Sequence, residues 1–267
     1  MIIPAAERDW QTFKALAQQE GWRVPQLELA LHRQGGCSRA WALHCDGATI
    51  GLVSGVLHQK SAWIGNLVVA PAERGKGYGV ALFDHTVQEL RRAGAATLWL
   101  TASAQGAPLY AARGFQTVGE VERWVRKTGG EGHGALPAGG ESGGAIDAAV
   151  WGDNRRPLLC HLESAGTWLQ QGESLALLQR GDDLQIIGPW YGSSLRLRDD
   201  AELLARLVAV AAPQVELVVD LVGHSGRGGL LAAAGFTPAG RTGLMVAGPM
   251  QVQWSRLVAL ATLGSCG

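Results

Sequence analysis

The sequence has few cysteines, no net charge and no long apolar run, and each of these excludes a class of protein. The four cysteines, Cys37, Cys45, Cys160 and Cys266, are scattered without CxxC or His-rich spacing, which argues against a zinc site or a disulfide framework. The formal charge at pH 7 is +0, so the chain lacks the basic excess of a nucleic-acid binder. No apolar stretch reaches the ~20 residues that cross a bilayer. We therefore expect no metal, no nucleic acid and no membrane partner.

The start of the sequence, MIIPAAERDW, has no basic segment followed by a long apolar run. A secretory signal peptide has both. Together with the scattered cysteines, this predicts a cytoplasmic protein.

Glycine is abundant in one segment. Residues 129–144 contain eight glycines in sixteen positions, which predicts a flexible linker. The linker separates residues 1–128 from a second part, which we place at residues 145–249, followed by a tail over residues 250–267. Each of the two parts has the size of an ordinary domain.

Hydrophobic patterning indicates interleaved strands and helices. Asp46-Gly47 predicts a hairpin turn, and residues 62–71 form an apolar strand that ends at a proline. A helical repeat of apolar residues follows and stops at Gly94. The second half repeats this order more faintly, and LLAAAGF (230–236) follows LYAARGF (109–115) at an offset of 121 residues. The pattern predicts a mixed α/β, or α+β, fold with an internal duplication.

The segment ERGKGYGVALF, residues 73–83, places a glycine-rich turn between a strand and a helix. The first N–H groups of a helix have no intrahelical partner, and the helix dipole makes this end positive. Glycine lets an anion approach the main chain closely, and Arg74 and Lys76 add positive charge. The turn therefore predicts a diphosphate site.

Two common phosphate motifs do not fit this turn. The P-loop pattern fails because Gly77 follows Lys76 where Ser or Thr should bind magnesium. The dinucleotide pattern GxGxxG fails because the glycines run GxGxG. A tight turn before a core helix, with no ligand, is the alternative interpretation.

The run Arg74-Gly75-Lys76-Gly77-Tyr78-Gly79, preceded by LVVAPAE, resembles the acyl-CoA pyrophosphate loop of the GNAT superfamily of N-acetyltransferases, and PLYAARGF resembles its later motif. Residues 1–128 carry both motifs. The second half resembles the fold pattern only, because GSSLRLRDD stands where the loop should be and Leu231 stands where Tyr110 stands. The resemblance implies a tandem protein of two GNAT-like domains, the C-terminal one degenerate, each with a mostly antiparallel central sheet flanked by helices.

The resemblance also implies a reaction: an amine attacks the thioester of acetyl-CoA directly, and Tyr110 acts as general acid toward the departing thiolate. Acetyl-CoA would be a co-substrate, and no metal is implied. Ser103 replaces an asparagine that the family often has seven residues before the tyrosine. The implied cofactor contacts are Leu67, Val68, Val69, Arg74, Gly75, Lys76, Gly77, Tyr78, Gly79, Val80 and Ser103.

The general base and the acceptor stay open. His58 is a candidate base, whereas Glu28, Asp46 and Glu120 are expected to face solvent. A small-molecule primary amine is the expected acceptor, with a protein amine as an alternative. By hypothesis the second domain walls the acceptor site or supplies a homodimer surface.

Two other functions compete with the transferase as interpretations of the sequence. A non-catalytic acyl-CoA-binding sensor or scaffold would use the same loop without turnover. A serine hydrolase with Ser225 as nucleophile is excluded in its usual chain order, because Arg227 occupies the last glycine of G-x-S-x-G and no histidine follows His224.

Overall fold

A computed structural model of the protein describes residues 1–132, 143–193 and 196–267. Most of the predicted linker, and two residues of the segment GSSLRLRDD, lie outside these ranges. Within them, no helix is long and apolar enough to cross a membrane.

The first half alternates strands and helices. The elements in chain order are β1 (Ile2–Pro4), α1 (Glu7–Gln19), α2 (Gln26–Gln34), β2 (Ser38–Cys45), β3 (Ala48–Leu57), β4 (Ser61–Val69), a 3-10 turn (Pro71–Glu73), α3 (Tyr78–Arg92), β5 (Thr97–Ala102), α4 (Ala107–Ala111) and β6 (Gln116–Arg126).

The second half repeats this order from its first helices to its long last strand, and a short strand follows. Its elements are α5 (Gly144–Trp151), α6 (Arg156–Glu163), β7 (Gly166–Gln171), β8 (Ser174–Gln179), β9 (Gln185–Tyr191), α7 (Leu197–Val210), β10 (Leu217–Val222), a 3-10 turn (Gly223–Ser225), α8 (Gly228–Ala233), β11 (Thr237–Ala247) and β12 (Leu257–Ala259).

The structure has the hairpin turn and the helix end that the sequence predicts. Asp46 and Gly47 both have positive φ, 49° and 81°, and join Cys45 directly to Ala48, as a two-residue hairpin of type I′ requires. α3 ends at Arg92, with Gly94 at φ 98° just beyond it. α1, which was not predicted, buries Trp10 and Phe13 on one face.

One sheet of twelve strands runs through the described chain, in the order β1-β2-β3-β4-β5-β11-β6-β10-β12-β9-β8-β7. Most neighbours are antiparallel, and the parallel pairs are β4–β5 and β9–β10. The mixed α+β class is thereby confirmed. The two central sheets that were predicted are joined edge to edge into a single sheet.

The junction is an exchange of strands. β11, from the second half, pairs with β5 of the first half, and β6, from the first half, pairs with β10 of the second. β6 and β11 also pair with each other, and Val121 lies opposite Thr242, its counterpart 121 residues later. Each half therefore completes its sheet with a strand of the other.

The core follows the sheet on both faces. α3 packs over the first half, around Phe83 and Leu98, and α7 packs over the second, around Leu207 and Trp190. A third cluster lies between the halves and contains three mutually contacting indole rings, those of Trp63, Trp99 and Trp151. The junction is thus a hydrophobic core in its own right.

Candidate active site

Strands β4 and β5 form a fork. They pair in parallel only from Ser61 to Trp63, opposite Thr97 to Trp99, and then diverge. Asn66, at φ 58°, lies where the β3–β4 register shifts between Leu52 and Ser54, and such a bulge bends a strand. The edge of β4 that faces β5 beyond the bulge, including Leu67, Val68 and Val69, has no ladder partner in β5.

The glycine loop lies between the end of β4 and the start of α3. Gly75 and Gly77 have φ values of 77° and 83°, which only glycine adopts readily. None of the six N–H groups from Gly75 to Val80 donates a hydrogen bond within the described part of the chain, and the first internal bond of the helix is Ala81 N–H to the Gly77 carbonyl at 3.0 Å. Six free donors at a helix N-terminus suit a diphosphate.

The glycine at position 79 is not explained by its backbone conformation. Its φ is not positive, and an added Cβ would meet only Val69 Cγ2, at 3.8 Å. Neither strain nor crowding inside the protein demands glycine there, whereas a ligand lying on the loop would. The loop residues therefore fit the diphosphate of CoA.

The two cations of the loop have carboxylate partners. Arg74 donates to the Val69 carbonyl at 3.0 Å and pairs with Glu20 at 2.5 Å, and Lys76 pairs with Glu73 at 3.0 Å. Both pairs are solvent-exposed, so they are weak and exchangeable. Contact of Arg74 and Lys76 with phosphate stays a prediction, and it requires these side chains to change partners.

Ser103 and Tyr110 meet at the end of β5. The Ser103 hydroxyl accepts the Gly106 N–H at 3.2 Å, and a Cβ at Gly106 would lie 3.5 Å from Ser103 Oγ and 3.6 Å from Tyr110 Oη. The Tyr110 ring packs 4.8 Å from that of Phe83 in α3. Burial raises the pKa of Tyr110 to about 12, so the hydroxyl keeps its proton at neutral pH. Ser103 and Tyr110 thus lie together beside the helix that starts at the glycine loop.

The candidate bases are dispersed. His58 follows β3 near Ala62, at the closed end of the fork, and burial lowers its pKa to about 3. Asp46 is exposed in the hairpin turn, and Glu120 is exposed on β6. Glu28 departs from expectation: it was predicted to face solvent, but only 2% of it is exposed.

Glu28 is buried because residues from the end of the chain cover it. Its carboxylate accepts the Leu263 N–H at 2.9 Å and the Ser265 hydroxyl. Burial raises the pKa of Glu28 to about 7. A single acidic residue on an amphipathic helix gives no sequence signal for such a contact, since the covering residues lie more than 230 positions away.

The second half has the same fork, but it is filled. β9 and β10 pair in parallel at Gln185–Leu217 and Ile186–Val218. Beyond these pairs β12 lies between them, with Leu257 opposite Tyr191 and Ala259 opposite Leu221. A protein strand occupies the space that the first fork leaves between its backbones.

The start of α7 also differs from that of α3. Asp200 pairs with Arg227 at 2.8 Å and accepts the Ser174 hydroxyl at 2.6 Å, all in the buried interior. Asp199 accepts the Glu173 N–H at 3.1 Å. Carboxylates therefore stand at this helix N-terminus, where they would repel a diphosphate. Leu231, the counterpart of Tyr110, is fully buried.

Residues 5–115 match the sequence model of the Acetyltransferase (GNAT) family. The chain carries a GNAT acetyltransferase domain. The fold of this domain thus supports acyl transfer as the general reaction class. No curated protein sequence matches the chain.

Solved structures share the fold over nearly the whole length of the chain. A protein from Pyrococcus horikoshii described as an acetyltransferase is 18% identical, with a TM-score of 0.79 over 100% of this chain and 95% of its own. A GCN5-related N-acetyltransferase from Sphaerobacter thermophilus is 16% identical, with a TM-score of 0.64 over 96% and 98%. A tandem GNAT protein of the clavulanic acid biosynthesis pathway is 16% identical, with a TM-score of 0.55 over 94% and 99%. At these identities the likeness shows the fold, including its tandem form.

Within residues 1–132, 143–193 and 196–267, no group of three or more His, Cys, Asp and Glu side chains is arranged to hold a metal ion.

Proposed function

We propose that this GNAT protein transfers the acetyl group of acetyl-CoA to the primary amine of a small molecule by direct attack. The observation that carries the proposal is the row of six N–H groups from Gly75 to Val80 without an internal partner. Residues 1–128 would be the catalytic domain, residues 129–144 the linker, residues 145–249 the degenerate domain and residues 250–267 a tail. We place the protein in the cytoplasm and leave a homodimer open.

The chain's own groups would perform three tasks. The loop amides hold the diphosphate, which fixes the cofactor in line with the fork. The unpaired edge of β4 offers the N–H groups of Leu67 and Val69 to the pantetheine arm and the thioester oxygen, where negative charge develops, whereas the Val68 backbone faces β3. Tyr110 Oη donates its proton to the departing sulfur.

Acetyl-CoA, when bound, supplies the thioester. In the transfer a C–N bond forms as the C–S bond breaks. The attacking nitrogen releases one proton to solvent, the thiolate takes one from Tyr110, and Tyr110 regains one from solvent. The pKa of about 12 for Tyr110 means that the hydroxyl is protonated, and so available as a proton donor, across the neutral range.

The test measures CoA binding by calorimetry and thiol release from acetyl-CoA across a panel of primary amines. We expect CoA to bind and at least one amine to accelerate thiol release. Tyr110→Phe should bind CoA with unchanged affinity and lower kcat about 100-fold. If wild type and Tyr110→Phe release thiol at equal rates with every amine, Tyr110 is not the general acid.

A CoA-binding sensor is the second candidate, and one observation favours it: residues from the end of the chain cover one face of the fork. Tight CoA binding with no thiol release above background for any amine would support the sensor and contradict the transferase.

A further inference from the structure

The last residues of the chain reach both forks. After β12 fills the fork of the second half, the chain continues across the junction to the fork of the first half. There the Gly264 carbonyl accepts the Trp63 indole N–H at 3.0 Å and the Thr101 hydroxyl at 3.3 Å. Trp63 belongs to β4 and Thr101 to β5, so the segment Leu263–Cys266 bridges the two arms of the fork.

The contact with β4 is close enough to require a glycine. A Cβ added to Gly65 would lie 2.7 Å from the Cα of Ser265 and 2.9 Å from its carbonyl carbon. These are backbone atoms, which cannot rotate away as a side chain could. The segment Leu263–Cys266 therefore lies directly on the strand, one residue before the bulge at Asn66.

This segment lies on the face of the sheet opposite the glycine-loop helix. α3 packs with Ile64 and Leu98, on one face, whereas Trp63 and Gly65 point to the other, toward α2 and the segment. A cofactor anchored at the start of α3 would enter the fork from its own side. The second reactant of a direct transfer must approach the carbonyl from the side that the cofactor leaves free.

The covered face holds two carboxyl groups, those of Glu28 and Asp220, and one guanidinium group, that of Arg123. Arg123 donates to Asp220 at 2.8 and 2.7 Å and also to the Leu263 carbonyl of the segment at 3.0 Å. Glu28 forms no salt bridge with any described residue. Glu28 is instead satisfied by two donors of the segment, Leu263 N–H and the Ser265 hydroxyl. If the segment moves away, it leaves a buried carboxylate that lacks both donors, and a protonated amine can replace them.

The neighbouring histidine does not supply the missing positive charge. His32 accepts from Asn66 Nδ2 at 3.1 Å, contacts Ser38 Oγ at 2.7 Å and Cys266 Sγ at 3.5 Å, and is buried. Burial lowers its pKa to about 3, so the ring is neutral. Arg123 acts on Glu28 through its charge without forming a salt bridge with it, so an incoming ammonium group could make the direct contact that Arg123 does not make.

We propose that the segment Leu263–Cys266 occupies the acceptor subsite of the first fork, that it must withdraw before an amine can enter, and that Glu28 then binds the ammonium group of the acceptor. The inference rests on the proposed transferase function. The inference explains why the first fork, whose glycine loop has free N–H groups, is covered by Leu263–Cys266 on the face opposite α3.

The first measurement follows the segment without using activity. Two single-cysteine chains retain either Cys266, which is fully buried, or Cys160, which is exposed, with the other three cysteines replaced by serine. A thiol reagent should label Cys266 about 100-fold more slowly than Cys160, because a buried thiol reacts only through local opening. Equal labelling rates would overturn the covered state.

The second measurement opens the subsite. Gly65→Ala inserts a methyl group against the backbone of Ser265, whereas Gly229→Ala, its control, adds one where nothing lies within 4 Å. Gly65→Ala should speed Cys266 labelling and lower KM for the active amine, each about 10-fold, and Gly229→Ala should change neither. If Gly65→Ala does not fold, a chain that ends at residue 262 takes its place in the amine assay.

The third measurement tests the carboxylate. Glu28→Gln should raise KM for the active amine about 10- to 100-fold with CoA affinity unchanged, and Glu28→Asp should recover part of the loss. An unchanged KM in Glu28→Gln would overturn the inference. So would a wild type that is active and has the same KM for the amine as Gly65→Ala or the chain that ends at residue 262. Neither outcome would contradict the transferase function. If Cys266 becomes accessible in the opened chains and still no amine releases thiol, the transferase function itself fails, and the acceptor subsite with it.

Discussion

Both forks of this molecule are parallel strand pairs that diverge, but only the second has another strand of the protein between its arms. In the first, β4 and β5 diverge into an unpaired edge beside six free N–H groups. In the second, β12 lies between β9 and β10, and buried Asp200 stands at the helix start. The difference teaches that one fold can hold two kinds of fork: one is filled by a strand of the chain and has a carboxylate at the helix start, and the other is unpaired and has free amides there.

The largest expected effect would show that only one fork binds CoA. Gly77→Glu places a non-glycine residue at φ 83° and a negative charge against the diphosphate. Calorimetry should detect no CoA binding to this variant. Arg196→Glu, at the corresponding cap of α7, should bind CoA as wild type does. Residual one-to-one binding in Gly77→Glu would mean that the second fork is functional.

The chain segment that fills the second fork should contribute measurably to the free energy of unfolding. Leu260, fully buried just after β12, anchors the inserted chain, and Leu260→Ala should lower the free energy of unfolding by about 2–5 kcal/mol. Leu197→Ala, at a leucine that is 50% exposed, should lower it by less than about 0.5 kcal/mol. Denaturant titration of both variants gives the comparison, and similar values would show that the inserted strand is dispensable.

The covered face of the first fork should show a dependence on pH. The pKa of Glu28 is raised to about 7, so its contribution to stability is complete below the ordinary carboxyl pKa and is lost as the pH rises through 7. That loss is about 3 kcal/mol in wild type and is absent in Glu28→Gln. The charged or titratable neighbours, Arg123, Asp220, His32 and Cys266, are common to both chains. Unfolding curves that keep a constant separation between pH 5 and 8 would contradict the buried acid.

The smallest expected effect concerns the exposed cations of the loop. Lys76→Ala should weaken CoA binding only a few-fold, and less at high salt, because Lys76 is exposed and already pairs with Glu73. Lys127→Ala, at an exposed lysine outside the loop, is the control. A loss of 100-fold or more in Lys76→Ala would show that the side chain, rather than the backbone amides, holds the diphosphate.

The features of this structure that depend on neighbouring residues could be predicted from the sequence. The glycine loop, the start of α3 and the Asp46-Gly47 turn each depend on residues within a few positions, and a positive φ or a free helix N-terminus leaves a direct trace in residue type. The mixed fold class and the GNAT assignment followed from such local motifs. Ser103 and Tyr110 came from the later motif, and the structure places them together.

The non-local part could not be predicted. The exchange of β6 and β11 depends on pairing between residues 121 positions apart, and either strand would look the same if paired within its own half. The burial of Glu28 depends on residues near position 265. Residues 250–267 form a strand in one fork and contact the other, but neither outcome leaves a signal in the composition of that segment.

The exchange of β6 and β11 makes each half a structural subunit of the other. A polypeptide that ended after β6 would lose both strands that pair with β6, and the edge of β5, with Leu98 and Leu100 beside it, would stay bare unless β6 moved to it. The second half is therefore part of the fold of the first, and this structural role does not depend on any chemistry in the second fork.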